Sequence, residues 1–208
     1  NNLYDVAAIS DTEAWAVGDN GTVLHHESGA WNLYTHPNLP ADVDFRSIVV
    51  NAADDIMIVG ERCLIMHWDG SDWISLKTDE LASMEIHCAY ENPFTGYMLF
   101  GGDRGKIYEY DTVSFAPHVT GTNSDIYTIT QDLGGDLWAG GHGGLLMTND
   151  GMGWSEVTTG DTEDVRDIEF LASGDIWTAG GCDDGSCVSW SVLHYTGSSW
   201  VKYGESGS

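Results

Sequence analysis

The chain of 208 residues is built from short apolar segments separated by polar turns. Each segment is about four to seven residues long, is rich in β-branched and aromatic residues, and is bounded by Gly, Asp, Asn or Ser. This pattern is typical of β-strands. No stretch keeps the 3.6-residue period of an amphipathic helix, so the sequence predicts an all-β protein with almost no helix.

One pattern recurs five times along the chain. Each copy has an apolar segment that ends in Gly, and further along a polar turn that leads to an aromatic residue. The turns with their aromatics are His26–Trp31, Trp68–Trp73, Tyr110–Phe115, Asn149–Trp154 and Tyr195–Trp200. Four short strands repeated about every 40 residues are typical of the blades of a β-propeller.

The sequence therefore predicts a single β-propeller domain of five four-stranded blades. The predicted blades cover about residues 1–42, 43–83, 84–123, 124–163 and 164–208. In the first blade the predicted strands are Leu3–Ile9, Ala14–Gly18, Thr22–His26 and Trp31–Thr35. Because one blade cannot bury both of its faces alone, neighbouring blades must pack together. Two arrangements stay open: a closed five-bladed ring, or five blades of a larger ring.

The stretch Ala14–His25, with the Asp-Gly-x-x-Trp turn seen at Asp69–Trp73, resembles the Asp-box (bacterial neuraminidase repeat) propellers. It is most similar to their non-enzymatic branch, which includes the photosystem II assembly factor. The resemblance covers essentially the whole chain and implies the propeller fold. The Asp-to-Trp step is one residue shorter here than in the Asp-box, and Glu27 and Thr196 replace the Asp in two copies, so no particular activity follows from it.

Charge restricts the partners of the protein. The chain has 33 acidic residues against 7 Lys and Arg, for a net charge of -26. A protein needs Lys and Arg to neutralise the phosphate groups of nucleic acids and anionic lipids, and this chain has few of either. We therefore expect no nucleic acid and no anionic membrane surface as partner. No run of about 18 apolar residues is present, so we expect no membrane insertion. The acidic surface is typical of a salt-adapted or secreted protein, which predicts a secreted, cell-surface or periplasmic location.

The four arginines indicate a candidate ligand site. In a propeller, the connection between the second and third strands of a blade (the B–C turn) and the connection between blades emerge on one face. This rule places every arginine on that face. The predicted ligand-binding residues are Arg46, Arg62, Arg104, Arg166, Tyr4, Tyr127, His142 and Trp190. Arginine supplies forked donors for carboxylates, and tyrosine can stack or hydrogen-bond.

Two alternatives apply to these residues. The arginines could instead pair internally with the acids beside them in sequence, Arg62 with Glu61, Arg104 with Asp103 and Arg166 with Asp167. The repeated aromatics, such as Trp31 and Trp73, are expected to pack between blades. Trp190 lies in an insertion outside the repeat, so it is expected to be exposed.

A sialidase-type glycoside hydrolase is the enzymatic alternative, because the resemblance implies an arginine cluster, a Tyr/Glu pair and an acidic Asp. The residue types are present, with Tyr4 or Tyr127, Glu61 and Asp5. No Gly-x-Ser-x-Gly or nucleotide-binding loop occurs, and we expect no cofactor and no metal. We favour a non-catalytic extracellular propeller that binds a protein or a glycan. A structural module within a larger extracellular assembly is the further alternative.

The four cysteines fall into two groups. Cys182 and Cys187 bracket four polar residues, which predicts a disulfide that closes a short hairpin; two thiols or a metal pair are the alternatives. Cys63 and Cys88 lie in apolar runs and are expected to be buried thiols.

Overall fold

The computed structural model describes residues 1–76, 81, 84–181 and 189–204. Within this part of the chain, the regular structure is β-strand with short 3-10 turns. No helix in these residues is long and apolar enough to cross a membrane. The fold is an all-β five-bladed propeller with four antiparallel strands per blade, which confirms the predicted fold class.

The strands follow the chain in order within each blade. The strands of blades one and two are β1 Leu3–Ser10, β2 Glu13–Gly18, β3 Thr22–Glu27, β4 Ala30–Tyr34, β5 Phe45–Ala52, β6 Asp55–Gly60, β7 Leu64–Trp68 and β8 Trp73–Ser75. The strands of blade three are β9 Ile86–Glu91, β10 Met98–Gly102, β11 Ile107–Tyr110 and β12 Phe115–His118. Blades four and five contain β13 Ile126–Gln131, β14 Leu137–Gly141, β15 Leu146–Asn149, β16 Trp154–Glu156, β17 Asp167–Phe170, β18 Ile176–Gly181, β19 Trp190–Tyr195 and β20 Trp200–Tyr203.

The chain divides into two compact units, residues 1–91 and 92–208. The first unit holds blades one and two and the first strand of blade three. The second holds the other three strands of blade three and blades four and five. Each unit has its own buried core.

In the first unit, the core lies between blades one and two. We call the face of a blade that packs on the preceding blade its incoming face, and the opposite face its outgoing face. The outgoing face of blade one contributes Trp15, Val17 and Val23, and the incoming face of blade two contributes Phe45, Ile48, Ile58, Met66 and Trp73. The indole Nε1 of Trp73 also donates to the Tyr34 hydroxyl at 3.3 Å. Trp73 therefore packs between blades, as predicted for the repeated aromatics. The prediction is wrong for its equivalent in blade one, because Trp31 is 47% exposed.

In the second unit, blades four and five pack in the same way. Leu146 of blade four lies against Val165 and Ile168 of blade five, and all three are buried. Trp138 and Trp200 are half-buried against the same cluster. The repeat thus produces the same kind of interface in both units, because each blade presents apolar side chains on both faces.

The glycine that ends the second strand of a blade allows a close backbone approach. A Cβ at Gly60 would overlap the carbonyl oxygen of Asp44, and a Cβ at Gly141 would overlap that of Asp125. In both cases the clashing residue immediately precedes the first strand of the same blade. The recurring glycine in the sequence therefore reflects packing of the first two strands of a blade at one end.

The Asp-box-like turns are held by their own side chains. The Asp69 carboxylate accepts hydrogen bonds from the Ser71 hydroxyl and from the backbone N–H groups of Ser71 and Asp72. These hydrogen bonds lower the pKa of Asp69 to about 2, with the Ser71 hydroxyl as the largest cause. Asp111 accepts the N–H groups of Val113 and Ser114 in the same manner. The Asp at this position has a structural role.

The two described cysteines, Cys63 and Cys88, are both buried thiols, as expected. The Cys63 thiol donates to the Met84 carbonyl oxygen at 2.7 Å. The predicted disulfide between Cys182 and Cys187 lies outside the described residues.

Candidate functional site

The first strand of three blades begins with a β-bulge that carries a candidate site residue. Residue pairing with the second strand skips Tyr4 in blade one, Arg46 in blade two and Tyr127 in blade four. A bulge adds one residue to a strand and re-aims its side chain out of the normal alternation. The equivalent position in blade five is Arg166, which directly precedes β17.

Tyr4 and Arg46 form a stacked pair in the first unit. The guanidinium carbon of Arg46 lies 4.5 Å from the centre of the Tyr4 ring, within the range of a cation–π contact. Nη2 of Arg46 contacts Oε1 of Glu61 at 2.7 Å and Oδ2 of Asp44 at 3.3 Å. Arg46 therefore links three groups from blades one and two. We call this group the Tyr4–Arg46 clamp.

The electrostatic environment favours the cationic form of Arg46 in this clamp and the ionised form of the neighbouring Asp19. Burial lowers the pKa of Arg46, but the hydrogen bonds to Glu61 and Tyr4 outweigh it, and the pKa is raised overall. The pKa of Asp19 is lowered by a hydrogen bond from the Tyr4 side chain and by one from the backbone N–H of Asn2. The Asn2 N–H lies 2.8 Å from Oδ2 of Asp19. Arg46 therefore stays a cation held among carboxylates.

Tyr127 and Arg166 form a second stacked pair, in the second unit. The guanidinium carbon of Arg166 lies 4.0 Å from the centre of the Tyr127 ring. Nη2 of Arg166 contacts Oδ2 of Asp164 at 2.9 Å, and the other oxygen of Asp164 contacts Nδ1 of His142 at 3.0 Å. This Tyr127–Arg166 clamp repeats the order tyrosine, arginine, acid of the first unit.

The acid in each clamp also binds the B–C turn of the preceding blade. The Asn20 N–H donates to Oδ1 of Asp44 at 2.9 Å, and the Gly143 N–H donates to Oδ1 of Asp164 at 2.9 Å. A third turn repeats the contact, because the Arg104 N–H donates to Oδ1 of Asp125 at 2.9 Å. Sequence reasoning missed these acids. The signal was available, since Asp44 and Asp125 directly precede the first strand of their blades and Asp164 lies three residues before β17.

Arg62 and Arg104 occupy a different environment, at the tips of B–C turns. Both side chains are largely exposed. Nη1 of Arg62 contacts Oδ2 of Asp42 at 3.3 Å, and Nε of Arg104 contacts Oδ2 of Asp103 at 3.0 Å. Both have left-handed backbone, with φ of 56°. Their side chains therefore point into solvent, and each contacts a carboxylate.

The alternative of internal pairing with sequence neighbours needs correction. Glu61 contacts Arg46 rather than Arg62, and Arg62 contacts Asp42 across a loop. Arg166 contacts Asp164, two residues earlier, through Nη2. Arg104 does contact Asp103. Sequence adjacency does not decide these partners, because Glu61, Arg62 and Arg166 lie outside the regular strands, and the bulge at Arg46 re-aims its side chain.

The remaining candidates are placed as follows. His142 lies in the B–C turn of blade four, is largely exposed and contacts Asp164. Trp190 is exposed, as expected, but it begins strand β19 and so belongs to the repeat rather than to an insertion. Arg46, Arg62 and Tyr4 lie in the first unit, and the other candidates lie in the second. A single mouth formed by all of them stays a prediction.

The residues named for a sialidase-type reaction have structural contacts. Oδ2 of Asp5 accepts the Ser47 hydroxyl at 2.8 Å and the Ile48 N–H at 2.9 Å. Glu61 is held by Arg46. Among the described residues, no group of three or more His, Cys, Asp or Glu side chains is arranged to hold a metal ion.

Solved structures with the same architecture match the chain over nearly its full length. YCF48 bound to a D1 peptide matches with a TM-score of 0.73 and 18% identity, over 98% of this chain and 68% of that chain. YCF48 from Cyanidioschyzon merolae matches with a TM-score of 0.60 and 15% identity, over 99% and 87%. The likeness is one of fold. It confirms the predicted resemblance to propellers of the photosystem II assembly factor type.

A bacterial extracellular domain shares the fold as well. The extracellular domain of a hybrid two-component system from B. thetaiotaomicron matches with a TM-score of 0.74 and 15% identity, over 97% of this chain but 28% of that chain. The chain thus spans about a quarter of that protein. No protein-family model matches the chain, and no curated protein matches it. YCF48 and the extracellular domain of a two-component system share this fold, so the fold by itself assigns no ligand.

Proposed function

We propose that the protein is a non-catalytic extracellular binding module that recognises a protein ligand through its B–C turns. Arg62 and Arg104 make the primary contacts. The two tyrosine–arginine clamps hold the neighbouring backbone in place. The similar propellers include one that is bound to a peptide, which supports a binding role, and one that is the extracellular domain of a two-component system, which supports a location outside the cell.

The observation that carries the proposal is the backbone conformation of the two exposed arginines. A left-handed conformation costs a residue other than glycine roughly 1 kcal/mol or more. Blade four uses Gly143 at the equivalent turn position and blade one uses Asn20, both of which adopt this conformation readily. Arginine at this position in blades two and three therefore favours a contact role over a folding role.

The chemistry of these tips indicates the kind of ligand group. A guanidinium presents planar paired donors that match a carboxylate. On a chain of net charge -26, an acidic ligand is repelled over most of the surface. A ligand carboxylate, such as an Asp, Glu or C-terminal group of an extended peptide, is thus directed to the arginine tips.

Capture of ligands from a peptide array, with a glycan array in parallel, tests this function. We expect retained peptides to be carboxylate-bearing, and we expect Arg62→Ala and Arg104→Ala each to weaken capture about tenfold or more. Val113→Ala is the matched control for Arg104→Ala, because Val113 is exposed in the turn between the third and fourth strands (the C–D turn), at the other end of the same blade. Unchanged capture by both arginine variants, or capture of glycans alone, would contradict the proposal.

A further inference from the structure

A polar cavity of about 320 Å³ lies beside the B–C turn of blade four. Three segments form its wall: the turn at 142–145, the connection at 156–162 that leads from blade four into blade five, and Thr122 with Ser124 in the connection that leads into blade four. All of these residues belong to the second unit. The volume is at the lower end of the usual range for small-molecule sites, which favours a small ligand.

Close backbone contacts and an ion pair hold the wall of this cavity in place. A Cβ at Gly144 would overlap the carbonyl oxygen of Asp161, so the B–C turn packs directly on the connection into blade five. The carboxylate of Asp161 accepts hydrogen bonds from the Lys202 ammonium at 2.7 Å and from the Ser191 hydroxyl. Burial raises the pKa of Asp161, but the hydrogen bonds from Lys202 and Ser191 outweigh it, and the pKa is lowered overall. The cavity is therefore formed before any ligand enters.

Five hydroxyl groups line the cavity. Those of Thr122 and Thr159 each accept one backbone N–H, from Ser124 at 3.1 Å and from Asp161 at 3.2 Å, which leaves their protons free to donate. The side-chain hydroxyls of Ser124, Thr158 and Thr162 make no hydrogen bond within the described part of the chain. The cavity thus offers several donors and acceptors that the fold itself does not use.

His142 adds an oriented acceptor at the edge of the cavity. Its Nδ1 lies 3.0 Å from Oδ1 of Asp164, a buried carboxylate that also accepts the Gly143 N–H. A carboxylate can only accept, so Nδ1 carries the proton, and Nε2 of the neutral ring is an acceptor. Asp164 therefore fixes both the orientation of the ring and its tautomer. The sequence predicted His142 as a ligand-binding residue but carried no signal for this partner.

The wall chemistry favours a neutral ligand that carries hydroxyl groups. No Lys or Arg lines the cavity, the nearby Lys202 is paired with Asp161, and the chain has a net charge of -26, so an anion is disfavoured. Glu156 is the one lining carboxylate without a contact in the described residues, so an amine finds a single charged partner. Hydroxyls can both donate and accept, which matches the other polar groups. Leu145 and Val157 supply apolar surface for carbon–hydrogen groups.

We propose that this cavity binds a neutral sugar residue. Nε2 of His142 accepts a hydrogen bond from one sugar hydroxyl, and the Thr158 hydroxyl bonds to a second one. This is a site additional to the proposed protein-binding tips, because neither Arg62 nor Arg104 lines the cavity. The inference does not rest on the proposed protein ligand, and peptide capture at the tips can fail while sugar binding holds.

Amide NMR titration of the full chain tests the proposal. The probes are methyl α-mannopyranoside, methyl α-glucopyranoside and methyl β-galactopyranoside, with inorganic phosphate and a short serine peptide in parallel. We expect at least one glycoside to shift the amide signals of Gly143, Gly144 and Gly160 in a saturable manner, because these groups lie in the wall. Phosphate and the peptide should leave these signals unchanged.

Two substitutions connect the binding to the named groups. Thr158→Val keeps the side-chain shape and removes one hydroxyl, and His142→Ala removes the acceptor; each should weaken glycoside binding about threefold to tenfold. Thr148→Val is the matched control, because it removes a hydroxyl from the same blade but does not line the cavity. If His142→Ala alters the turn, Thr158→Val still decides, since Thr158 is exposed and makes no hydrogen bond through its hydroxyl in the described residues.

Four results would overturn the proposal. The first is that none of the three glycosides shifts these amides at concentrations close to its solubility. The second is that the glycoside shifts fall only outside the wall. The third is unchanged affinity in Thr158→Val, and the fourth is that phosphate or the serine peptide produces the shifts in place of the glycosides.

Discussion

In blade two the incoming face is buried against blade one, whereas in blade one the equivalent residues are in contact with solvent. Ile48 and Val6 occupy the same strand position, and so do Trp73 and Trp31. The side chains have the same chemistry and very different exposure. A repeat pattern therefore specifies the chemistry of a face, and only the neighbouring blade determines whether that face contributes to stability.

The largest difference between the two faces is expected for a buried charge. Ile48→Asp places a carboxylate in the core between blades one and two, and we expect it to lower the free energy of unfolding by about 4 kcal/mol or more. Val6→Asp, measured in dilute solution, should change it by less than about 0.5 kcal/mol. Urea denaturation of the two variants measures both values, and equal effects would refute the difference in packing.

The two tryptophans give a smaller but still clear contrast. Trp73→Ala leaves a cavity between blades and removes the hydrogen bond to Tyr34, so we expect a loss of about 3–5 kcal/mol. Trp31→Ala should lose less than about 1 kcal/mol, because that side chain lies on an open face. The same denaturation experiment applies. A loss of stability in Trp31→Ala as large as that in Trp73→Ala would show that the incoming face of blade one is covered.

The two kinds of arginine provide the next comparison. Arg46→Ala removes the stacking contact with Tyr4 and leaves Asp44 and Glu61 close together without their cation. Because these groups are partly exposed, we expect a loss of only about 1–2 kcal/mol. Arg62→Ala should change stability by less than about 0.5 kcal/mol. Thermal denaturation of the two variants checks whether Arg46, in the clamp, contributes more to stability than Arg62, at the tip of a B–C turn.

The smallest effect concerns the Asp-box-like turn. Ser71→Ala removes the largest cause of the low pKa of Asp69, so that pKa should rise from about 2 towards 3.8. Because the folded-state pKa lies below the unfolded value, the ionised Asp69 contributes stability above about pH 4 and loses it as the pH falls towards 2. NMR titration of the carboxyl group measures the shift. A pKa that stays near 2 in the variant would contradict the assigned hydrogen bond.

Much of the fold could be predicted from local pattern. Strands β1 to β4 begin and end within about two residues of the predicted positions, which is the usual scatter of strand assignments. The turn residues predicted the C–D turns, because the carboxylates of Asp69 and Asp111 accept hydrogen bonds from backbone N–H groups of the same turn. The arginine positions at the B–C turns and at the start of first strands were also predicted. These features depend on residues that are close in sequence.

The partners of the arginines could not be predicted in the same way. Arg46 contacts Glu61 from another strand, and Asp44 contacts the Asn20 N–H from another blade. A β-bulge at Tyr4, Arg46 and Tyr127 changes the direction of each side chain. The sequence carries no plain signal for a bulge at these positions, because it is decided by how two strands pair.

The sequence by itself determined the strands, the turns and the number of blades, because each depends on apolar alternation and on turn residues within about ten positions. The tertiary structure alone decided which apolar faces are buried and which carboxylate holds each arginine. Burial and pairing are properties of two surfaces in contact. Residues of the same kind, such as Val6 and Ile48, therefore have different roles in blades that differ only in what lies beside them.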